Sequence, residues 1–487
     1  MSTWGEAGQS IMTKVAFVSQ PRDAVAASDA QTGSVTIVMW ELAKRVARHH
    51  EVVVFAPRAP GQAIEEVSRV GLRIRRIPLV LRSFHKAMDL GTGALNLHTP
   101  YFASNLFFRE YALSVAHWLR HEQPDIIHVQ NGTQFLPLFH RAAPNARLFL
   151  HVHDEFLSLL PEKVVRPRLQ DLSAVVTCSN FVTQRLQSRL PYLADRIHTV
   201  GNGADTTYFE ATEHASEPGK FRILYVGRVS PEKGIHTLAA AFTRLASADE
   251  GVELDVVGPP GLLPFNQIRL LSGDPQVAAL EAFYGNGFWD RLDKQVVHAH
   301  SSYSSSIEAS IPESLRERVH FRGQLSRGTL KSAYQRAHVL AMPSVCMEPF
   351  GLPLAEAMAT GIPCIASRTG GIPDIVADNV TGLLVERGDV EALTNALRKL
   401  SLDSEARDQM GREARRRAEE YFDWSIPAAR LESLYQQQWE APSGESIRVT
   451  GQARGGTPAG AATHERRLTA ATDWADAVST WRPCNRH

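Results

Sequence analysis

An alternation of strand and helix patterns that starts, stops and starts again constrains this chain more than any other feature. KVAFVS (Lys14–Ser19) and EVVVFA (Glu51–Ala56) are short apolar runs rich in β-branched residues, and each reads as a buried strand. Between them, SVTIVMWELAKRVARH (Ser34–His49) places apolar residues at helical spacing, with Ser34 as candidate N-cap. Strand, loop, helix, strand is the opening of a doubly wound parallel sheet. Further strands are expected at Asp125–Gln130, Arg147–Val152 and Ala174–Ser179, and RIHTVGNGAD (Arg196–Asp205) closes this half.

The polar stretch EHASEPGK carries Pro-Gly and reads as a linker, residues 213–220. The alternation then restarts with FRILYVG, GIHTLAAAFTRLA and VELDVVG. The expected α/β architecture is therefore two Rossmann-like domains, 14–212 and 221–423, facing a central cleft. An insertion at about 259–318 is too long for a connection and is expected to decorate the second domain; His298 and His300 within it read as surface residues. A helix at 424–440 follows, and residues 1–13 and 441–487 are expected to be disordered.

Composition excludes some classes. Lys plus Arg and Asp plus Glu both number 52, so a basic nucleic-acid footprint is missing. The four cysteines are scattered without metal-ligand spacing, which fits a reduced, cytoplasmic setting. No apolar run approaches the length of a membrane helix, and the start lacks the apolar core of a signal peptide. The first strand–helix loop lacks G-x-G-x-x-G, which argues against a nicotinamide dehydrogenase.

The chemistry concentrates in two stretches of the second half. In EPFGLPLAEAMATGIPCIAS (Glu348–Ser367), Pro353 sits as a first-turn proline, so a helix is expected to start near Leu352. The amides of Phe350, Gly351 and Leu352 would then form an anion site suited to a diphosphate. Glu348 and Glu356, eight positions apart, would repel that anion on contact but suit the neutral hydroxyls on either side of it. A carboxylate accepts both protons of a vicinal diol, so Glu356 suits a ribose and Glu348 a sugar ring. The plainer reading is a dipole-favoured Glu356 and a solvated Glu348. In YVGRVSPEKGIHTL, Arg228 and Lys233 lie five residues apart and can clamp a diphosphate from the other side.

GRVSPEKG, EPFGLPLAEAMATGIPCIAS, TGGIPDIV (Thr369–Val376) and NVTGLLV (Asn379–Val385) together resemble the retaining glycosyltransferase family 4, which has the GT-B fold. VHFRG, NGAD and LHVHDEF occur in the family's order, and the likeness runs from about Lys14 to Tyr435. The resemblance implies transfer of a sugar from a nucleotide diphosphate sugar to an acceptor hydroxyl with retention, without a metal or other cofactor; the β-phosphate itself would accept the acceptor's proton. It implies that Glu356 binds ribose, Glu348 faces the donor sugar, and Arg228 and Lys233 clamp the diphosphate. Phe350, Gly351 and Leu352 would offer amides, Arg322 and Gly323 border the nucleobase, and His153 stand near the reacting sugar. Asp154 would orient His153 or the acceptor, and Asn202 lies on the acceptor side. The family's glycine pair after the first strand is replaced by Gly33 alone.

Two rivals share the fold: an epimerase or hydrolase of nucleotide sugars, and a nucleotide-sugar-binding protein without transfer. GLRIRRIPLVLRSFHKAM (Gly71–Met88) mixes basic and apolar residues. It reads as a solvated domain edge or as a surface for peripheral membrane contact near a lipid-linked acceptor.

Overall fold

A computed structural model describes residues 13–94, 100–211, 219–285 and 302–440. The expected linker at 213–220 lies almost wholly outside them, as do His298, His300 and both termini.

Two sheets form, each from one run of the alternation. The first contains β1 (Lys14–Val18), β2 (Glu51–Pro57), β3 (Glu65–Val67), β4 (Arg73–Ile77), β5 (Ile126–Gln130), β6 (Arg147–Val152), β7 (Ala174–Thr177) and β8 (Ile197–Thr199), in the order β3-β4-β2-β1-β5-β6-β7-β8. Every pairing is parallel except β3 with β4. The second contains β9 (Phe221–Val226), β10 (Val252–Val257), β11 (Val319–Gly323), β12 (Val339–Met342), β13 (Cys364–Ser367) and β14 (Gly382–Val385), in the order β11-β10-β9-β12-β13-β14, all parallel. Parallel central strands are covered on both faces, which explains their unbroken apolar runs: Val15 to Val18 and Val53 to Ala56 are at most 1% exposed. In each sheet the order reverses beside its first strand, between β1 and β5 and between β9 and β12. At such switch points the loops after the strands diverge and leave a crevice.

Three local expectations change. Ser34 is the first residue of the helix Ser34–Val46, and Gly33, at φ 90°, takes the cap position instead. The segment from Gly71 to Met88 is not one surface. Its first part is β4, where Arg76 is 1% exposed and bonded to the Val25 carbonyl and to Glu66, while Val80, Leu81 and Phe84 beyond it are exposed. The described part of the insertion is not decoration either. Phe265, Ile268 and Tyr284 are buried in a cluster with Val345 and Cys346, just ahead of Glu348.

Between Asp423 and Glu432 the chain returns to the first sheet's half. The Phe422 carbonyl accepts from the Ala204 amide at 2.7 Å, Asp423 accepts from the Thr206 hydroxyl at 2.6 Å, and Arg430 donates to the Val200 carbonyl.

Candidate active site

The site lies where the strand order predicts a crevice. Gly33 follows β1, His153 follows β6, Arg228 and Lys233 follow β9, and Glu348 follows β12. With Asn202, Phe350, Gly351, Leu352 and Glu356 they line one cavity of about 520 Å³ between the two sheets. Residues from both halves thus share one crevice.

Each charged group is held by a specific partner. Lys233 Nζ donates to Glu348 Oε2 at 2.6 Å, and the Ser344 hydroxyl donates to the same oxygen at 3.2 Å. Glu348 is 7% exposed, which removes the reading of it as a solvated loop residue. Burial works against the charge on Lys233, but the carboxylates, Glu348 foremost, outweigh it and hold the ammonium more firmly than usual. Arg228 Nη2 donates to Glu232 Oε1 at 2.8 Å, and Ser230 donates to that oxygen at 2.6 Å. Glu232 is 1% exposed, and its carbonyl accepts from the amides of Val345 and Cys346. It therefore ties the cation loop to the segment that carries Glu348. Sequence reasoning missed this residue, although an acid between two cations in RVSPEK was the available signal.

The helix Leu352–Thr360 begins at Gly351, whose φ of 105° aims the preceding turn into the cavity. Pro353 has no amide hydrogen and the Leu354 amide donates to the Gly351 carbonyl at 2.9 Å, so among the described residues the amides left for an anion are those of Phe350, Gly351 and Leu352. Glu356 accepts from the Tyr334 hydroxyl at 2.8 Å. Burial pushes its carboxyl up to about 7, against that hydrogen bond and the more distant Arg327.

Across the crevice, His153 stacks on His151 with ring centres 4.1 Å apart, and its Nε2 lies 2.6 Å from Gln130 Oε1. That partner assigns the proton to Nε2 and leaves Nδ1 as a buried acceptor without a donor among the described residues. Burial lowers the imidazole to about 3, so it is neutral. Asp154 makes no direct hydrogen bond to the His153 ring; its link to that residue runs through Asn131, whose Oδ1 accepts from the His153 amide at 2.9 Å. Asp154 accepts from Asn131 and from the Phe156 amide, and it lines a neighbouring cavity of about 400 Å³ that also touches Arg228. Burial raises Asp154 to about 6. Arg322 and Gly323 do not line the donor-side cavity. β11 is an edge strand, and Arg322 leans outward onto Asp255 at 2.8 Å; the next residues, Gln324 and Leu325, face the cavity instead. Among the described residues no cluster of three or more His, Cys, Asp or Glu is placed to hold a metal ion, and no helix is long and apolar enough to cross a membrane.

Two Rossmann-like sheets whose strand ends face one crevice define a GT-B fold. The family described as "Glycosyltransferase Family 4" matches residues 35–208, and "Glycosyl transferases group 1" matches residues 300–417. The chain is similar to spore coat protein SA of Bacillus subtilis, at 23% identity over 83% of this chain and 94% of that protein. It is 30% identical to D-inositol 3-phosphate glycosyltransferase of Corynebacterium glutamicum, over 50% of this chain and 51% of that protein. Among solved structures, Anabaena HepE in complex with UDP and glucose superimposes with a TM-score of 0.57 at 17% identity, covering 87% of this chain and 99% of that one. The chain belongs to glycosyltransferase family 4 and is a glycosyltransferase.

Proposed function

We propose that the chain transfers a sugar from a nucleoside diphosphate sugar to an acceptor hydroxyl and retains the anomeric configuration. One observation carries the reading: a single crevice combines two cations, a helix start and two carboxylates spaced to flank a diphosphate. HepE, with the same fold, is described with UDP and glucose, which supports a nucleotide-sugar donor here.

In this reading the diphosphate lies between the amides of Phe350 to Leu352 and the side chains of Arg228 and Lys233. As the glycosidic bond breaks, negative charge grows on the departing phosphate, and fixed cations and dipoles stabilise it without reorganising. No residue forms a covalent bond to the sugar, and no metal is needed. The β-phosphate takes the acceptor proton on the face the leaving group vacates, which preserves configuration. Glu356 accepts from the ribose hydroxyls. Glu348, held by Lys233 and Ser344, accepts from the donor sugar, and the neutral His153 offers Nδ1 to a sugar hydroxyl from the other side. Gln324 and Leu325 take the place beside the base that was expected of Arg322 and Gly323. The neighbouring cavity, where Asp154 lies and which shares Arg228, offers room for an acceptor; that favours transfer over hydrolysis or epimerisation.

Lys233→Ala tests the reading. Turnover should fall about 10²- to 10³-fold with the fold intact. Unchanged turnover removes the clamp. Thermal-shift titration with UDP, GDP and ADP should give one preferred nucleotide, and Glu356→Ala should abolish the preference for a ribose-bearing ligand over inorganic pyrophosphate.

A further inference from the structure

We propose that the first half carries a second, anion-binding pocket that takes a phosphate or pyrophosphate ester at the far end of the acceptor. This rests on the transferase reading for what occupies the neighbouring cavity. The pocket has a volume of about 550 Å³ and is lined by Arg109, Arg141, Lys163 and Arg168, with no Asp or Glu among its described lining residues.

Four like charges around one hollow repel one another, and a protein normally offsets such charge locally. This chain does so close by: Arg73, Arg75 and Arg76 on β4 each face a glutamate. The pocket does not. Arg109, Arg141 and Lys163 are exposed and make no ion pair or side-chain hydrogen bond among the described residues. Arg168 is fixed in place, with Nη2 donating to the Ala103 carbonyl and to Asn105 Oδ1, both at 2.8 Å. Its Nη1 is buried without a partner among the described residues. A guanidinium held rigidly with one donor unanswered, ringed by three unpaired cations, matches a tetrahedral oxyanion.

Placement links the pocket to the reaction. Gln134 and Phe135 line both this pocket and the cavity beside Arg228 and Asp154. An acceptor with its hydroxyl in that cavity would extend its anionic end past them into the basic hollow. Leu106 and Leu113, 63% and 48% exposed, flank Arg109 in sequence and suit an apolar tail on the same ligand. A free ester and a lipid headgroup both carry such a phosphate; the recognising chemistry is the same.

The test uses the full chain with Lys233→Ala, which weakens the donor clamp's own hold on pyrophosphate so that the basic hollow becomes the tighter site. Calorimetric titration with inorganic pyrophosphate should show that site. Adding Arg141→Ala and Lys163→Ala, both exposed and unpaired, should weaken it about tenfold or more and flatten its salt dependence. No site in the Lys233→Ala protein, or affinity untouched by the two further changes, overturns the proposal. Sedimentation with phosphatidylcholine vesicles, with and without phosphatidylglycerol, separates the sources. Binding to anionic vesicles that the double change abolishes assigns a lipid phosphate, and pyrophosphate binding without vesicle binding assigns a free ester; both support the pocket. Nucleoside diphosphate affinity of the Arg141→Ala, Lys163→Ala protein with Lys233 intact reports on the donor crevice alone, so the two readings fail separately.

Discussion

At the scale of single residues, Glu356 has the most direct consequence. Its carboxyl is pushed up to about 7 from 4.5 by burial, so the fold binds its proton more tightly than the unfolded chain does. Stability from this group is complete below pH 4.5 and is lost as the pH rises towards 7, by about 3 kcal/mol in all. Glu356→Gln should therefore flatten the fall in Tm between pH 5 and 8, measured by scanning calorimetry. A ribose diol donates to the ionised carboxylate, so nucleotide affinity should rise over the same window with proton uptake by the buffer. Titrations in two buffers of different ionisation enthalpy would detect it, and the Gln variant should show neither effect. The pairing of Glu348 and Glu356 was legible because both lie on one short stretch of chain. Glu232 was within reach of the same kind of reading, four residues from Arg228, but Gln130 was not, because an amide that fixes an imidazole becomes visible only when two strands lie side by side.

Among the elements, the turn ahead of the helix Leu352–Thr360 matters most. The backbone of Glu348 is gripped from behind by the glycine pair of TGGIPDIV: the Gly371 amide donates to the Glu348 carbonyl at 2.7 Å. At Gly370, φ is +56°, and a β-carbon would come within 2.2 Å of that carbonyl oxygen and 2.6 Å of the Glu348 nitrogen. Gly370→Ala must push the Glu348 segment towards the crevice. Transfer should drop about a hundredfold, as expected for reacting groups displaced by about an ångström. Nucleotide affinity, read by fluorescence titration, should change much less, because Glu356 lies on the helix beyond. The strand and helix alternation could be read directly, since apolar periodicity records burial on both faces. The inward packing of Phe265 and Tyr284 could not, because their helices are short and their partners, Val345 and Cys346, come much later in the chain. The outward lean of Arg322 was hidden for a related reason: the direction of a strand residue depends on register and on which strand ends the sheet.

For the molecule as a whole, the two halves meet at a polar latch beside the crevice. Arg327, at the start of a helix after β11, reaches Asp205 at 2.9 Å and Asp29 at 3.5 Å, and its guanidinium lies 4.0 Å from the centre of the Tyr208 ring. Asp29 sits in the loop after β1 and also accepts from the Trp40 indole. Such partly exposed contacts contribute about 1 kcal/mol together and weaken in salt. Arg327→Ala should open the crevice, seen as a larger radius of gyration in small-angle scattering, and raise KM for the donor more than it lowers kcat. In high salt the wild type should approach the variant.

The return of the chain near Asp423 also limits how such enzymes can be recombined. The first half is completed by a strip of backbone encoded more than 200 residues later, where Phe422 meets Ala204 and Arg430 meets Val200. A chimera that swaps acceptor preference by one splice between the sheets would graft a lobe without its own closing strip. Two junctions are required, so that residues 13–211 and 422–432 come from the same parent.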